Sequence, residues 1–258
     1  MKHIKRKFLY CHKIGEEVVK ALDAAPNSAT QFEVQRAEEY VGYVRTEKDY
    51  LIQAFPYKSS KATCFIPEPH PVVLYFNGAQ NFAKHIKVSK ESFFAALDNT
   101  DVQKDLDALY TFFSNITIGT TFLYNALEAF MNLKVPNDYQ YTKKKSDCTQ
   151  TFDKNQIQWH LTFQEKLKQV IPDITGKYFH REYGHLYDRL DDRLEHLKEC
   201  RDEIIHTKNY FAGHPTPYKR LFTIALDFDY EAALIATASY INFYEPELIE
   251  ECGCGKDH

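Results

Sequence analysis

The segment TTFLYNALEAFMN, residues 120–132, constrains the fold more than any other stretch of the chain. Its apolar side chains occur on nearly every side of a helical projection, so a helix formed here has to be covered by other parts of the protein. The segment belongs to a helical pattern that runs from Glu91, with a pause near residues 99–101, and stops at Pro136. We therefore expect a core of packed helices with this segment at its centre.

The rest of the chain is also mainly helical in pattern. The 9 glycines and 10 prolines among 258 residues are too few for a turn-rich all-β protein, and the 44% of hydrophobic residues can fill a sizeable core. Further helices are predicted over residues 12–24, 26–51, 154–170, 187–208 and 218–246, the last as one helix or two. Residues 136–154 are polar and predict a loop.

The predicted fold class is all-α. Residues 113–246 form the expected helical unit, residues 1–112 a helical extension of unknown role, and residues 247–258 a polar tail that contains cysteines. Within the extension, a proline-rich stretch holds ATCFI (residues 62–66) and VVLYF (residues 72–76), two runs short enough for strands. The extension therefore has room for a small β or irregular patch.

Charge and cysteine content limit the setting of the protein. The net charge of −4 excludes nucleic-acid binding through bulk positive charge, although a local basic groove remains possible. The six cysteines are scattered along the chain, which predicts free thiols in a reducing compartment. No stretch resembles a signal peptide or an apolar membrane span, so we expect a cytoplasmic protein without a membrane partner.

The tail ECGCGKDH offers three soft metal ligands, Cys252, Cys254 and His258. A structural zinc site requires four ligands, and the fourth would have to come from elsewhere in the chain. The sequence therefore predicts no metal and no cofactor, with metal binding by this tail as the alternative.

The helix predicted over residues 187–208 carries an arginine inside its apolar stripe. At about 100° per residue, five apolar residues lie within about 60° of Arg201: Leu190, Leu194, Leu197, Ile204 and Ile205. His206 lies about 140° round the same helix. A guanidinium in that position needs partners. The polar line of the central helix, which includes Asn125 and Glu128, offers one, and a structural Arg201–Glu128 pair between two core helices is the plainest interpretation.

The stretch RDEIIH, residues 201–206, resembles the signature of HEPN domains (higher eukaryotes and prokaryotes nucleotide-binding). In that signature four to six residues separate an arginine from a histidine, and the first of these residues is polar. The order of the surrounding segments, FLYNALEAFMN, PNDYQY and QEKLKQVIPDITGKYF, is similar to that of bacterial HEPN-like proteins. The resemblance covers roughly residues 113–246. It departs from some toxins of the family, which carry a tyrosine where this chain has Lys208.

The resemblance implies an up-and-down helical bundle that forms a homodimer. Many members are metal-independent endoribonucleases, often toxins or host-defence effectors, whose arginine and histidine meet at the dimer interface. Carried over, Arg201 and His206 would be catalytic, with Asp202, Glu128 and Asn125 in support, RNA as substrate and an antitoxin protein as a possible partner. The alternatives are a catalytically silent HEPN module that binds nucleotide or a partner protein, and a purely structural bundle.

Overall fold

The computed structural model describes residues 2–17, 20, 24, 42–60, 63–97, 102–144, 148–179, 181, 185–207, 216 and 218–255. The chain divides into two compact units, Arg6–Val73 and Met1–Lys5 with Leu74–His258. The domain boundary that the sequence predicts at residue 113 differs from this division, because residue 113 lies within the long helix Val102–Lys134 of the larger unit.

The smaller unit contains an antiparallel sheet. Its strands are β1 (Cys11–Lys13), β2 (Gly42–Arg45), β3 (Tyr50–Lys58) and β4 (Thr63–Pro67), and the other three all pair with β3. The register places Cys11 opposite Ile52, Gly42 opposite Ala54, and Phe55 opposite Ile66. Ile52 and Ala54 alternate with more exposed residues along β3 and are its buried side chains.

This sheet contradicts the all-α prediction, because the protein is a mixed α/β structure. The predicted helix over residues 26–51 is wrong at its described end, where Val44 lies in β2 and Leu51 in β3. Alternating burial along both strands shows that a period of two, rather than 3.6, governs this stretch. The helix predicted over residues 12–24 is wrong at its start, where His12 and Lys13 lie in β1, whereas Glu16, Glu17 and Lys20 are helical. Residues 18, 19, 21–23 and 25–41 lie outside the described residues.

The larger unit is mainly helical. Its helices are α1 (Pro71–Ala96), α2 (Val102–Lys134), α3 (Lys154–His160), α4 (Phe163–Glu165), α5 (Ile171–Thr175), α6 (His185–Ile205), α7 (Lys219–Asp227) and α8 (Tyr230–Tyr244). A π-helical segment, Lys166–Val170, joins α4 to α5. Among the described residues, no helix combines the length and the apolar composition that a membrane crossing requires.

Helix α2 lies at the centre of the larger unit, as its all-round apolar pattern predicts. It packs against α6, α7 and α8. Fully buried side chains include Leu123, Leu127 and Met131 of α2, Leu197 of α6 and Ile241 of α8. The final helical stretch of the sequence is two helices, α7 and α8, separated at Phe228 and Asp229.

A small hairpin lies where a polar loop was predicted. Strands β5 (Tyr141–Lys144) and β6 (Thr149–Phe152) pair antiparallel, with Tyr141 opposite Phe152. Tyr141 and Phe152 pack on a second hydrophobic cluster formed by Val135, Ile157, Leu161 and Val170. The helix predicted to end at Val170 extends further, since helical structure continues from Phe163 through Pro172 to Thr175 and ends at Gly176, whose φ is +66°.

Candidate functional site

Arg201 lies near the C-terminal end of α6, beside the stripe that faces the core. Leu194, Leu197 and Cys200 of that stripe are buried against α2 and its neighbours. Burial raises the pKa of the Cys200 thiol to about 12, so this cysteine next to Arg201 stays protonated. The Arg201 side chain itself keeps 25% of its surface exposed, so it lies at the edge of the core.

Two contacts hold the guanidinium. Its carbon lies 4.5 Å from the centre of the Tyr124 ring on α2, and Nη1 donates to the Asp202 carboxylate at 3.0 Å. Tyr124 is 5% exposed and stacks in turn on Phe163, with ring centres 4.9 Å apart. Burial raises the pKa of Tyr124 above its ordinary value, so the ring is a neutral platform for the cation.

Asp202 joins two cations on the same helix. Besides Arg201, its carboxylate accepts a hydrogen bond of 2.7 Å from Lys198. Burial raises the pKa of the Asp202 carboxyl, but the hydrogen bonds and positive charges of Lys198 and Arg201 outweigh burial, and its pKa lies below the ordinary value. Asp202 is therefore ionised at neutral pH and fixes the orientation of Arg201.

Glu128 does not serve as the acceptor for Arg201. It accepts a hydrogen bond of 3.1 Å from Lys166, whose ammonium also lies 3.3 Å from the side-chain oxygen of Asn132. Lys166 is 2% exposed and comes from the π-helical segment, which is the element that faces this part of the α2 polar line. Asn125 is half-buried on the same line. The polar line on α2 indicated that a buried polar partner is present. The identity of that partner depends on which element packs beside α2.

His206 directly follows the last residue of α6 and is exposed. Its backbone N–H donates to the Asp202 carbonyl at 2.9 Å, which continues the helical hydrogen bonding by one residue. The Arg201 and His206 side chains, both described, make no hydrogen bond to each other. Residues 208–215, which follow, lie outside the described residues.

Two clefts that no sequence pattern predicted lie along another face of α6. One of about 200 Å³ and one of about 490 Å³ share Arg193 and His196 as lining residues. Arg193 also lies 3.7 Å from the Asp229 carboxylate at the start of α8. Neither cleft is lined by Arg201 or His206. The i, i+3 spacing of Arg193 and His196 is the signal that could have found this second arginine–histidine pair.

A cluster of metal-ligand atoms lies at the two ends of the chain. Nδ1 of His3 and the sulfurs of Cys252 and Cys254 lie within 4.8 Å of one another. Two of these residues belong to the predicted tail ligands, whereas His258 lies outside the described residues. His3 was not predicted to join them, because 248 residues separate it from Cys252 in a chain of 258 and nothing in the sequence pairs the two ends.

Comparisons of the chain with protein-family models, with curated proteins and with solved structures find no match.

Proposed function

We propose that the protein is a metal-independent endoribonuclease of the HEPN type, with Arg201 and His206 as its catalytic residues. One observation carries the proposal. Asp202 and Tyr124 hold the Arg201 guanidinium in place while a quarter of the side chain stays exposed, and an exposed histidine follows at the end of the same helix. An ordered, accessible arginine close in sequence to an accessible histidine is what the signature RDEIIH requires.

The chemistry needs no metal because RNA carries its own nucleophile, the 2′-hydroxyl. His206 acts as general base or general acid, since an imidazole can both take up and release a proton near neutral pH. Arg201 binds the scissile phosphate through two N–H groups and stabilises the charge that develops on it. Its Nη1 already donates to Asp202, which leaves the other edges of the guanidinium for the phosphate.

A second copy of the chain completes the proposed site. In one chain His206 lies about 140° round α6 from Arg201, so the two side chains point in different directions. In a homodimer with the C-terminal ends of both α6 helices at the interface, Arg201 of one protomer and His206 of the other share one cleft.

Cleavage of RNA by purified variants tests the proposal. We expect His206→Ala and Arg201→Ala to lose cleavage, and Arg201→Lys to be nearly inactive because lysine keeps the charge and loses the two-pronged phosphate contact. His196→Ala and Arg189→Ala are matched controls, since both positions are exposed on the same helix, and both should cleave like the wild type. Wild-type cleavage by His206→Ala would show that RDEIIH has no catalytic role.

The second candidate function is a catalytically silent module that binds a nucleotide or a partner protein. The intrachain contacts of Arg201 favour it, because the pair with Asp202 and the contact with Tyr124 are those of an arginine that stabilises its own helix. Under this alternative the wild-type protein cleaves no RNA, and Arg201→Ala changes stability alone. If His196→Ala, not His206→Ala, abolished cleavage, the site would lie in the clefts along α6.

A further inference from the structure

The two ends of the chain form a short antiparallel pairing. Ile4 and Glu251 face each other across a β-bridge, and Ile4 is completely buried. The N–H of Lys5 donates to the Glu250 carbonyl at 2.7 Å, and the N–H of Cys252 donates to the His3 carbonyl at 2.8 Å. The Lys5 ammonium also pairs with the Glu250 carboxylate. These contacts fix His3 beside the CGCG segment.

Three potential metal-ligand atoms converge where this pairing ends. Nδ1 of His3 lies 2.9 Å from the Cys252 sulfur and 3.5 Å from the Cys254 sulfur, and the two sulfurs are 2.7 Å apart. In a tetrahedral zinc site, ligand atoms at about 2.0–2.3 Å from the metal are about 3.5–3.8 Å from one another. The sulfurs therefore need to separate by only about 1 Å to admit an ion.

The glycines of the segment explain how two cysteines one residue apart reach the same point. Residues two apart in an extended strand share a face, but their Cα atoms lie about 6.6 Å apart, so the chain has to turn between Cys252 and Cys254 for their sulfurs to meet. Here Gly253 and Gly255 have φ values of +68° and +73°, which L-residues rarely adopt. An added Cβ at Gly253 would meet no atom within 4 Å, so backbone conformation alone requires glycine there.

We propose that His3, Cys252 and Cys254 form a zinc site that links residue 3 to the segment of residues 252–254. Two thiolates and one imidazole are soft and borderline ligands that favour Zn²⁺ over Mg²⁺ or Ca²⁺. These three protein ligands leave the fourth position of the tetrahedron to solvent, which makes this an open zinc site. On binding, each thiol releases its proton and the ion joins the two sulfurs and Nδ1, so zinc affinity falls as the pH is lowered.

The site is separate from the proposed ribonuclease site, because none of its ligands lies on α6. A metal that binds the folded chain and not the unfolded chain stabilises the fold. Since the ligands join residue 3 to residues 252 and 254, the stabilisation applies to the pairing of residues 3–5 with residues 250–252.

Metal analysis of the untagged protein tests the site. We expect one zinc ion per chain after purification in the presence of zinc and gel filtration. Replacement by Co²⁺ should give a thiolate-to-metal charge-transfer band in the near ultraviolet. Cys252→Ser, Cys254→Ser and His3→Ala should each lose most of the bound zinc, and both cysteine variants should weaken the band. Cys148→Ser and His12→Ala, which alter an exposed cysteine and an exposed histidine elsewhere, are the controls and should retain the zinc.

Thermal unfolding gives a second readout, which does not rely on the zinc content measured after purification of each variant. EDTA should lower the Tm of the wild type to that of Cys254→Ser and leave the Tm of Cys254→Ser itself unchanged. Equal zinc content in site and control variants would overturn the proposal. A Cys252–Cys254 disulfide in the freshly purified protein, found by mass spectrometry without reductant, would overturn it as well, since a disulfide removes both thiolates.

Discussion

Gly119 lies where close packing between helices leaves little room for a side chain. It lies buried on α2, and a Cβ built there would be 2.8 Å from Cδ1 of Ile86 and 2.9 Å from the Tyr230 hydroxyl. The Ile86 methyl can rotate away. The Tyr230 hydroxyl cannot move freely, because it is buried and donates to the Ala79 carbonyl at 2.8 Å. The glycine therefore sets how closely α2 approaches its neighbours.

Gly119→Ala should destabilise the protein by about 1–2 kcal/mol, because overpacking costs about 1–3 kcal/mol and exceeds the gain of up to about 1 kcal/mol in helix propensity. Gly78→Ala on α1 is the matched control, since its Cβ would meet only the Phe122 ring at 3.3 Å. That variant should be neutral or slightly stabilised. Urea unfolding measures both, and equal stability of the two variants would contradict the packing argument.

The contacts of Arg201 limit how much the free energy of unfolding falls when its side chain is removed. If Arg201 paired with a buried Glu128, truncation would cost about 3–5 kcal/mol. Its partners are instead the half-exposed Asp202 and the Tyr124 ring, contacts worth about 0.5–1 kcal/mol each at such positions. Arg201→Ala should therefore lower the free energy of unfolding by about 1–2 kcal/mol in urea titrations. A loss above about 3 kcal/mol would indicate a buried pair after all.

At the scale of elements, one carboxylate joins the hairpin to the start of α4. Glu165 closes a capping box with Thr162, whose hydroxyl accepts from the Glu165 N–H at 3.2 Å, and it pairs with Lys143 of β5. The hydrogen bond from Lys143, together with those from Thr162, holds the pKa of Glu165 below its usual value. A carboxyl group whose pKa is lower in the folded chain than in the unfolded chain stabilises the fold at pH values above its pKa in the unfolded chain. This stabilisation is lost as the pH falls through the pKa of the group in the folded chain.

Glu165→Gln should therefore lower stability at pH 7 by up to about 1 kcal/mol and have a smaller effect as the pH falls from roughly 5 to 3. Glutamine retains the capping geometry, so the substitution removes the charge and little else. The free energy of unfolding at a series of pH values measures the difference. Glu47→Gln, in the turn between β2 and β3, is the control for loss of one negative charge. A difference that stays constant with pH would contradict the ion-pair argument.

The elements that the sequence predicted correctly are those with a long, uninterrupted period. The apolar pattern of α2 and the stripe of α6 repeat over many turns, and both helices are found. Short runs were ambiguous. VVLYF was assigned as a possible strand, but Val72, Val73 and Phe76 are buried and Leu74 is exposed, which is a helical spacing at the start of α1.

The β5–β6 hairpin could not be predicted from polarity, because YTKK and TQTF carry almost no apolar alternation and only Tyr141 and Phe152 pack on a hydrophobic cluster. The candidate site shows the same limit. The helical wheel placed Arg201 near the centre of the apolar stripe, whereas its side chain lies at the edge of the core with 25% of its surface exposed. The wheel also could not predict that Lys166 would reach Glu128, since that depends on the path of the chain between α3 and α5.

At the scale of the whole molecule, two sites with different metal requirements are proposed on one chain. If both proposals hold, EDTA should lower the Tm and leave RNA cleavage at 25 °C unchanged, because the ribonuclease site uses a guanidinium and an imidazole. Cleavage by Cys254→Ser at the same temperature is the control for the loss of zinc without chelator. Cleavage that stops with EDTA and returns with Mg²⁺ would point to a metal-dependent catalytic site elsewhere.

The last prediction concerns assembly. The ribonuclease proposal requires a homodimer, so light scattering at tens of micromolar should give the mass of two chains, and a monomer would contradict it.

Mixing two inactive variants tests whether the site is shared. If Arg201 of one protomer works with His206 of the other, a heterodimer of Arg201→Ala and His206→Ala has one site with both defects and one intact site. Random re-assortment makes half of the dimers hybrid, so about a quarter of wild-type activity should return. A site contained within one chain would restore none. Mixing His206→Ala with itself, through the same denaturation and refolding, is the control.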